Sequence, residues 1–275
     1  MKNNRRAFRP RSFGRSVAGL LPALAAGMLF LAIFPLAAQT ADEIVEKSKT
    51  VNEAKSTQIQ MQLTVTDKKG GVKSMLVEQY GIDSGGLSKS VIVFKQPASV
   101  AGTRFLVEEA EGGAENRKIF LPELGKVRRI AASEGGGSFM GTDFSYDDIS
   151  TAARDTARDT HAVVREESSN GSACWVIQSV PKEKGDSQYS KSLRWISKDH
   201  YLTLKAEMYD KGGSLLKTLE IGKYENKSGY WTPIVTTISN VQENTSTAME
   251  LKAVIYDKPI PAGVFTEKFL MTGRP

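Results

Sequence analysis

The sequence predicts a mainly β chain: one strongly curved antiparallel sheet, an unclosed barrel of about eleven strands, covered by an N-terminal helix, a short second helix and a loop. Three observations lead there. Apolar and polar residues alternate over many short segments, charged or glycine-containing turns separate those segments at regular intervals, and only two stretches carry a helical period. A flat open sheet of that many strands curls.

Residues 1–38 precede this pattern. They carry Lys2, Arg5, Arg6, Arg9, Arg11 and Arg15 with no acid, then an apolar run from Val17 to Phe34 and the small residues Ala37 and Ala38. Charged start, apolar middle and small-residue end predict a secretory signal cleaved near Ala38. Pro22, Gly19 and Gly27 make the run a weak bilayer span. Removing its six cations from the 37 basic residues leaves 31, equal to the 31 acids. The remaining chain, 39–275, is formally neutral, which withdraws charge support for nucleic-acid binding.

The elements of that chain follow in order. Asp42 opens an amphipathic helix through Ile44, Val45 and Val51, with Asp42, Glu43 and Glu46 complementing its dipole, and it should end near Ala54. From Thr57 the period becomes two. Ile59, Met61, Leu63 and Val65 form one face, and Lys68-Lys69-Gly70-Gly71 turns the chain into Val72 to Tyr80. Ser88 to Phe94 is apolar enough for a central strand and stops before Pro97; Thr103 to Glu108 and Arg117 to Leu121 follow. The repeat Ala153-Arg154-Asp155-Thr156, Ala157-Arg158-Asp159-Thr160 predicts the second helix. Six further strands are expected over 174–180, 191–196, 201–209, 215–225, 231–241 and 247–256. Leu202, Leu204, Ala206 and Met208 line up on one face, and Lys217 intrudes on the row Leu215, Leu219, Ile221.

One stretch resists assignment. From Lys126 to Ser150 a basic strand end is followed by Gly135-Gly136-Gly137, then by Phe139, Met140, Phe144 and Tyr146 among the acids Asp143, Asp147 and Asp148. Glycines disfavour helix and strand here, and a solvated loop gains nothing from large apolar side chains. Something apolar should lie beneath it. The predicted helices are too few to cover one face of so large a sheet, which points to a cavity.

Catalytic motifs are missing. There is no HExxH, GxSxG or phosphate-binding loop, the two histidines stand apart, and the single Cys174 sits in an apolar strand. The expectation is a protein without enzyme activity, cofactor or metal.

Pro97, Gly102-Thr103-Arg104-Phe105-Leu106, Leu121-Pro122, Lys126-Val127-Arg128-Arg129-Ile130 and Ser138-Phe139-Met140-Gly141-Thr142-Asp143-Phe144-Ser145-Tyr146-Asp147-Asp148 resemble the signature of the outer-membrane lipoprotein-sorting protein family, LolA-like periplasmic proteins. Trp195-Ile196, Tyr209-Asp210-Lys211, Gly229-Tyr230-Trp231-Thr232-Pro233 and Phe265 to Leu270 keep the family order, so the resemblance covers Ala41 to Leu270. It implies an unclosed barrel over a hydrophobic cavity, in a periplasmic carrier of lipid or lipoprotein acyl chains that acts as a monomer and meets an inner-membrane exporter. The other reading is an accessory subunit that docks on such an exporter and binds no lipid. Lys118 and Phe120 stand where the family has an aromatic pair, and Glu134 with three glycines replaces a more basic stretch.

On the carrier reading Phe94, Phe105, Phe120, Trp195 and Met208 line the cavity, and Phe139, Met140, Phe144 and Tyr146 cap it. On the plainer reading they fill an ordinary core. Arg128 and Arg129 meet a head group, or pair with Asp143, Asp147 or Asp148 close in sequence.

Overall fold

The computed structural model describes residues 39–84, 86–111, 114–149, 156–183, 185 and 187–275. The expected signal segment and the first part of the expected second helix lie outside them. Where that helix is described, Thr156–Arg158 is a single 3-10 turn and a strand begins at Asp159. The four-residue repeat is therefore no helix over 156–160.

Thirteen strands form one antiparallel sheet. They are β1 (Ser56–Thr66), β2 (Val72–Ser84), β3 (Leu87–Gln96), β4 (Arg104–Glu109), β5 (Glu115–Leu121), β6 (Lys126–Ile130), β7 (Asp159–Ser169), β8 (Ser172–Pro181), β9 (Lys191–Ser197), β10 (Thr203–Tyr209), β11 (Leu215–Lys227), β12 (Tyr230–Asn240) and β13 (Thr245–Tyr256). The spatial order is β6-β5-β4-β3-β2-β1-β13-β12-β11-β10-β9-β8-β7. The chain thus enters at the middle, meanders out to one edge, crosses to the other, and meanders back to pair β13 with β1. Edges remain at β6 and β7, so the curved sheet is unclosed. The two strands beyond the expected eleven are these edges. Both carry charge, Lys126, Arg128 and Arg129 on one and Arg165, Glu166 and Glu167 on the other, as exposed strand edges do to resist further pairing.

The topology explains the anomalous stretch. The stretch lies between the two edge strands in sequence, and its described residues 131–149 pack over one face of the sheet. That face, the inner one, carries Leu63, Met75, Val77, Ile92, Phe94, Phe105, Val107 and Ile119 in a single cluster that Phe139 joins from above. On the outer face Val91, Val93 and Leu106 pack against Val264, Phe265, Phe269 and Leu270. Strand β3 is therefore buried on both faces, which is why its run Val91 to Phe94 is continuously apolar.

Two helices complete the cover. α1 (Ala41–Thr50) starts at Thr40, whose side chain accepts the Glu43 N–H while Glu43 accepts the Thr40 N–H. Ile44 and Val45 pack on Ile177 and Ile196. The helix stops at Thr50, short of Ala54. α2 (Glu267–Thr272) is capped by Thr266 and closed by Gly273 at φ 67°; it seals the outer face, where the sequence pattern predicts no helix.

Candidate functional site

The crossover builds the site. After β6 a 3-10 turn at Ala132–Glu134 is fixed by the Glu134 carboxylate, which accepts the Ala131 N–H at 2.9 Å and Arg128 Nη1 at 2.6 Å. The chain then folds on itself. The Phe139 N–H donates to Phe144 O (2.8 Å), the Tyr146 N–H to Gly137 O (3.1 Å) and the Asp147 N–H to Gly135 O (2.9 Å). Met140 (φ 53°) and Gly141 (φ 77°) form the tip. Gly135 is small for want of space, since a Cβ there would lie 2.2 Å from Asp147 Oδ1.

This small hairpin drives an aromatic group into the sheet. Phe139, 3 % exposed, packs ring to ring with Phe94 (5.6 Å between centroids), Phe105 (5.2 Å) and Tyr146 (5.7 Å), and Phe105 also meets Tyr146 at 5.5 Å. These spacings suit tilted aromatic pairs. Met140 packs against the same cluster. Phe144 is buried but lies outside it.

Polar contacts pin the hairpin around its rim. Asp143 is buried; its carboxylate accepts from Thr245 Oγ1 and from Thr247 Oγ1 (2.7 Å), and Thr247 Oγ1 accepts the Asp143 N–H at 3.0 Å. Arg117 Nη1 donates to Asp147 at 2.7 Å and its Nε to Glu115 at 2.7 Å. Burial works against the Arg117 charge, but the two carboxylates outweigh it and raise its pKa. Lys217 Nζ reaches Asp148 Oδ2 at 2.8 Å, and Tyr189 donates its hydroxyl to Asp148 Oδ1 at 2.7 Å. Burial, then the charge of Asp148, pushes the Tyr189 hydroxyl far up, so it stays a donor. Gln188 Nε2 donates to Ser145 Oγ at 2.6 Å.

The sequence-predicted residues divide accordingly. Phe94, Phe105, Phe139, Met140 and Tyr146 come together; Phe120, Trp195 and Met208 do not join them. Phe120 falls on the outer face beside α2, under the Arg104 guanidinium 5.5 Å from its ring centroid. Trp195 belongs to a separate cluster with Cys174, Val176 and Leu204. A surface depression of about 370 Å³ beside it is lined by Glu167, Asn170, Lys205 and Glu220 among others, a polar wall unsuited to an alkyl chain. Met208 lies in register between Ser192 and Lys217. A bulge between Thr203 and Lys205 breaks the expected row, so Leu202 and Leu204 join Trp195 while Ala206 and Met208 do not. The expected local ion pairs are corrected too. Arg128 holds Glu134, Arg129 holds Asn116 (2.9 and 3.1 Å), and the acids of the crossover find Arg117, Lys217 and two threonines instead. Those partners lie far along the chain, and only Lys217, misplaced in an apolar row, gave any signal in sequence.

A thirteen-stranded unclosed antiparallel sheet with a crossover over its inner face places the chain in the LolA-like class. Among solved structures it is similar to a DUF1329 family protein from Desulfovibrio piger (26 % identity, TM-score 0.79, covering 84 % of this chain and 97 % of that one). It is equally similar to an outer membrane lipoprotein-sorting protein domain from Vibrio parahaemolyticus (27 %, TM-score 0.78, 84 % and 98 %). A LolA superfamily protein from Nitrosomonas europaea shares the fold at 19 % identity (TM-score 0.67, 84 % and 100 %). A family model whose description is that of an uncharacterized protein matches residues 86–272, and no curated protein matches the sequence. The chain belongs to the family of that model, and its fold is that of the LolA-like outer membrane lipoprotein-sorting domains.

Proposed function

We propose that the protein is a periplasmic carrier, exported with cleavage near Ala38, that holds acyl chains of a lipid or lipoprotein between the inner face of β1–β5 and the crossover hairpin, by binding alone and without catalysis. Its cargo would arrive from an inner-membrane exporter and leave toward the outer membrane. The observation that carries this reading is Phe139. A glycine-rich, polar crossover places one large ring among Phe94, Phe105 and Tyr146, where an alkyl chain could take its position and bury comparable apolar area at about 25 cal/mol per Å². The likeness to the Vibrio parahaemolyticus sorting domain supports the same cargo class.

Mass spectrometry of an organic extract of the purified protein tests this directly. Stoichiometric lipid, and competition between that lipid and a fluorescent fatty-acyl probe that Phe139→Asp weakens, are expected. A lipid-free protein that ignores the probe but copurifies with a membrane transporter would select the docking subunit instead.

A further inference from the structure

The inner face of β7–β11 is built differently from the face beneath Phe139. The strand register aligns His161, Ser179, Ser192, Met208 and Lys217 in one row across five strands. Arg194, two residues from Ser192, shares their face by alternation. Arg194 Nη2 donates to Ser179 Oγ at 3.0 Å, and His161 Nδ1 lies 2.8 Å from the same oxygen. Ser179 is buried. Assigning the Ser179 hydroxyl as the donor to His161 Nδ1 puts the proton of the neutral ring on Nε2. Arg194 Nε and His161 Nε2 are both buried with no hydrogen-bond partner. Two donors hinged on one serine therefore lack an acceptor, and buried polar groups are seldom left so. Asp159 acts on both side chains at a distance and Asp42 on His161, and the Thr156 backbone supports the His161 proton without reaching hydrogen-bond geometry at Nε2.

We infer that Arg194, His161 and Ser179 form a recognition site for a phosphate-type oxyanion, the head group of the carried lipid. This rests on the carrier reading and names its cargo as anionic at one end. A guanidinium and an imidazole N–H match tetrahedral oxygens, and hydrogen bonds to a charged acceptor are the strong ones. The site also displaces the basic pair of β6 from that role, since Arg128 and Arg129 are engaged by Glu134 and Asn116.

Titration calorimetry with dodecyl phosphate, dodecanol and inorganic phosphate tests it on the purified protein, with Arg194→Gln and His161→Gln as variants and circular dichroism to confirm their folding. The wild type should bind dodecyl phosphate at least about tenfold tighter than dodecanol, as one charge-assisted hydrogen bond commands. Each variant should lose most of that preference while keeping dodecanol affinity. No preference in the wild type overturns the inference even if a variant fails to fold, and leaves the carrier reading standing; a preference that survives in folded variants makes Arg194 a structural tie between strands and also overturns it. Variant-sensitive binding of inorganic phosphate with neither alkyl ligand bound would keep the oxyanion site, reassign its source to free phosphate, and sink the carrier reading.

Discussion

The two halves of the inner face solve the same covering problem with opposite materials. Over β1–β5 the cover is apolar: Phe139, Met140 and Tyr146 descend from the crossover onto Phe94, Phe105 and their neighbours. Over β7–β11 the sheet itself turns polar, with His161, Ser179, Arg194 and Lys217, and α1 covers only the patch around Ile177 and Ile196. The apolar half gains from burial alone. The polar half gains only where each group finds a partner. A molecule with an alkyl chain and a charged end has the same division.

The sharpest way to break this contrast is to truncate one side chain in each half. Phe105→Ala should cost about 3–5 kcal/mol in urea unfolding, because it deletes a fully buried ring that touches two others. Met208→Ala, half-buried between Ser192 and Lys217, should cost about 1 kcal/mol. Equal losses would mean that the halves do not differ as described.

Next comes the seam between them. Lys217 of the polar half and Asp148 of the crossover are 9 % and 11 % exposed and form an ion pair. Lys217→Ala leaves a carboxylate without its cation, at a cost of about 3 kcal/mol. Joint replacement, Lys217→Leu with Asp148→Leu, should cost less than the two single changes summed. Hydrogen exchange at the Ser145 and Tyr146 amides checks whether the hairpin loosens before the sheet does.

Much of this was legible in sequence and some was not, for physical reasons. Strands half buried in one face announce themselves by alternation, so β1, β2 and β8–β13 are legible in the sequence. Edge strands β6 and β7 were obscured because an edge is kept safe by charge, and charge erases the alternation that reveals a strand. Helix α2 spans under two turns, too short for a period. Phe139 stands out in the sequence because an apolar ring among glycines has no business in a solvated loop. Its partners Phe94 and Phe105 are legible from their strands, whereas Phe120 shares a strand with Ile119 but points the other way. The pairs Lys217–Asp148 and Arg117–Asp147 depend on how the crossover lies over the sheet, which no local spacing encodes.

Smaller effects come from the hairpin's backbone. Gly135→Ala would force a Cβ to 2.2 Å from Asp147 Oδ1 and disturb the Arg117 contact, so a loss of about 1–3 kcal/mol is expected. Gly136→Ala meets only Gln188 at 3.6 Å and should stay within about 0.5 kcal/mol of the wild type. A large loss from Gly136→Ala would mean that the glycines serve as hinges rather than as room for Asp147.

The gentlest probe is pH, because both histidines of the chain, His161 and His200, lie in the polar half. Burial lowers the pKa of each below the ordinary imidazole value; for His161 the charge of Arg194 adds to it, with Asp159, Asp42 and a Thr156 backbone contact opposing, and for His200 Asp199 and a backbone contact oppose. A base whose folded pKa is depressed binds fewer protons folded than unfolded. Stability is therefore full above about pH 6.5 and declines as pH falls toward the folded values. Between pH 7.5 and 5.5 hydrogen exchange should accelerate in β7–β10, where protonation sets a second cation beside Arg194 and a charged ring between Tyr224 and Trp231, while β2–β5, which hold no histidine, keep their protection. A uniform acceleration across the sheet would mean that the two halves unfold as one and that their chemical difference has no energetic boundary.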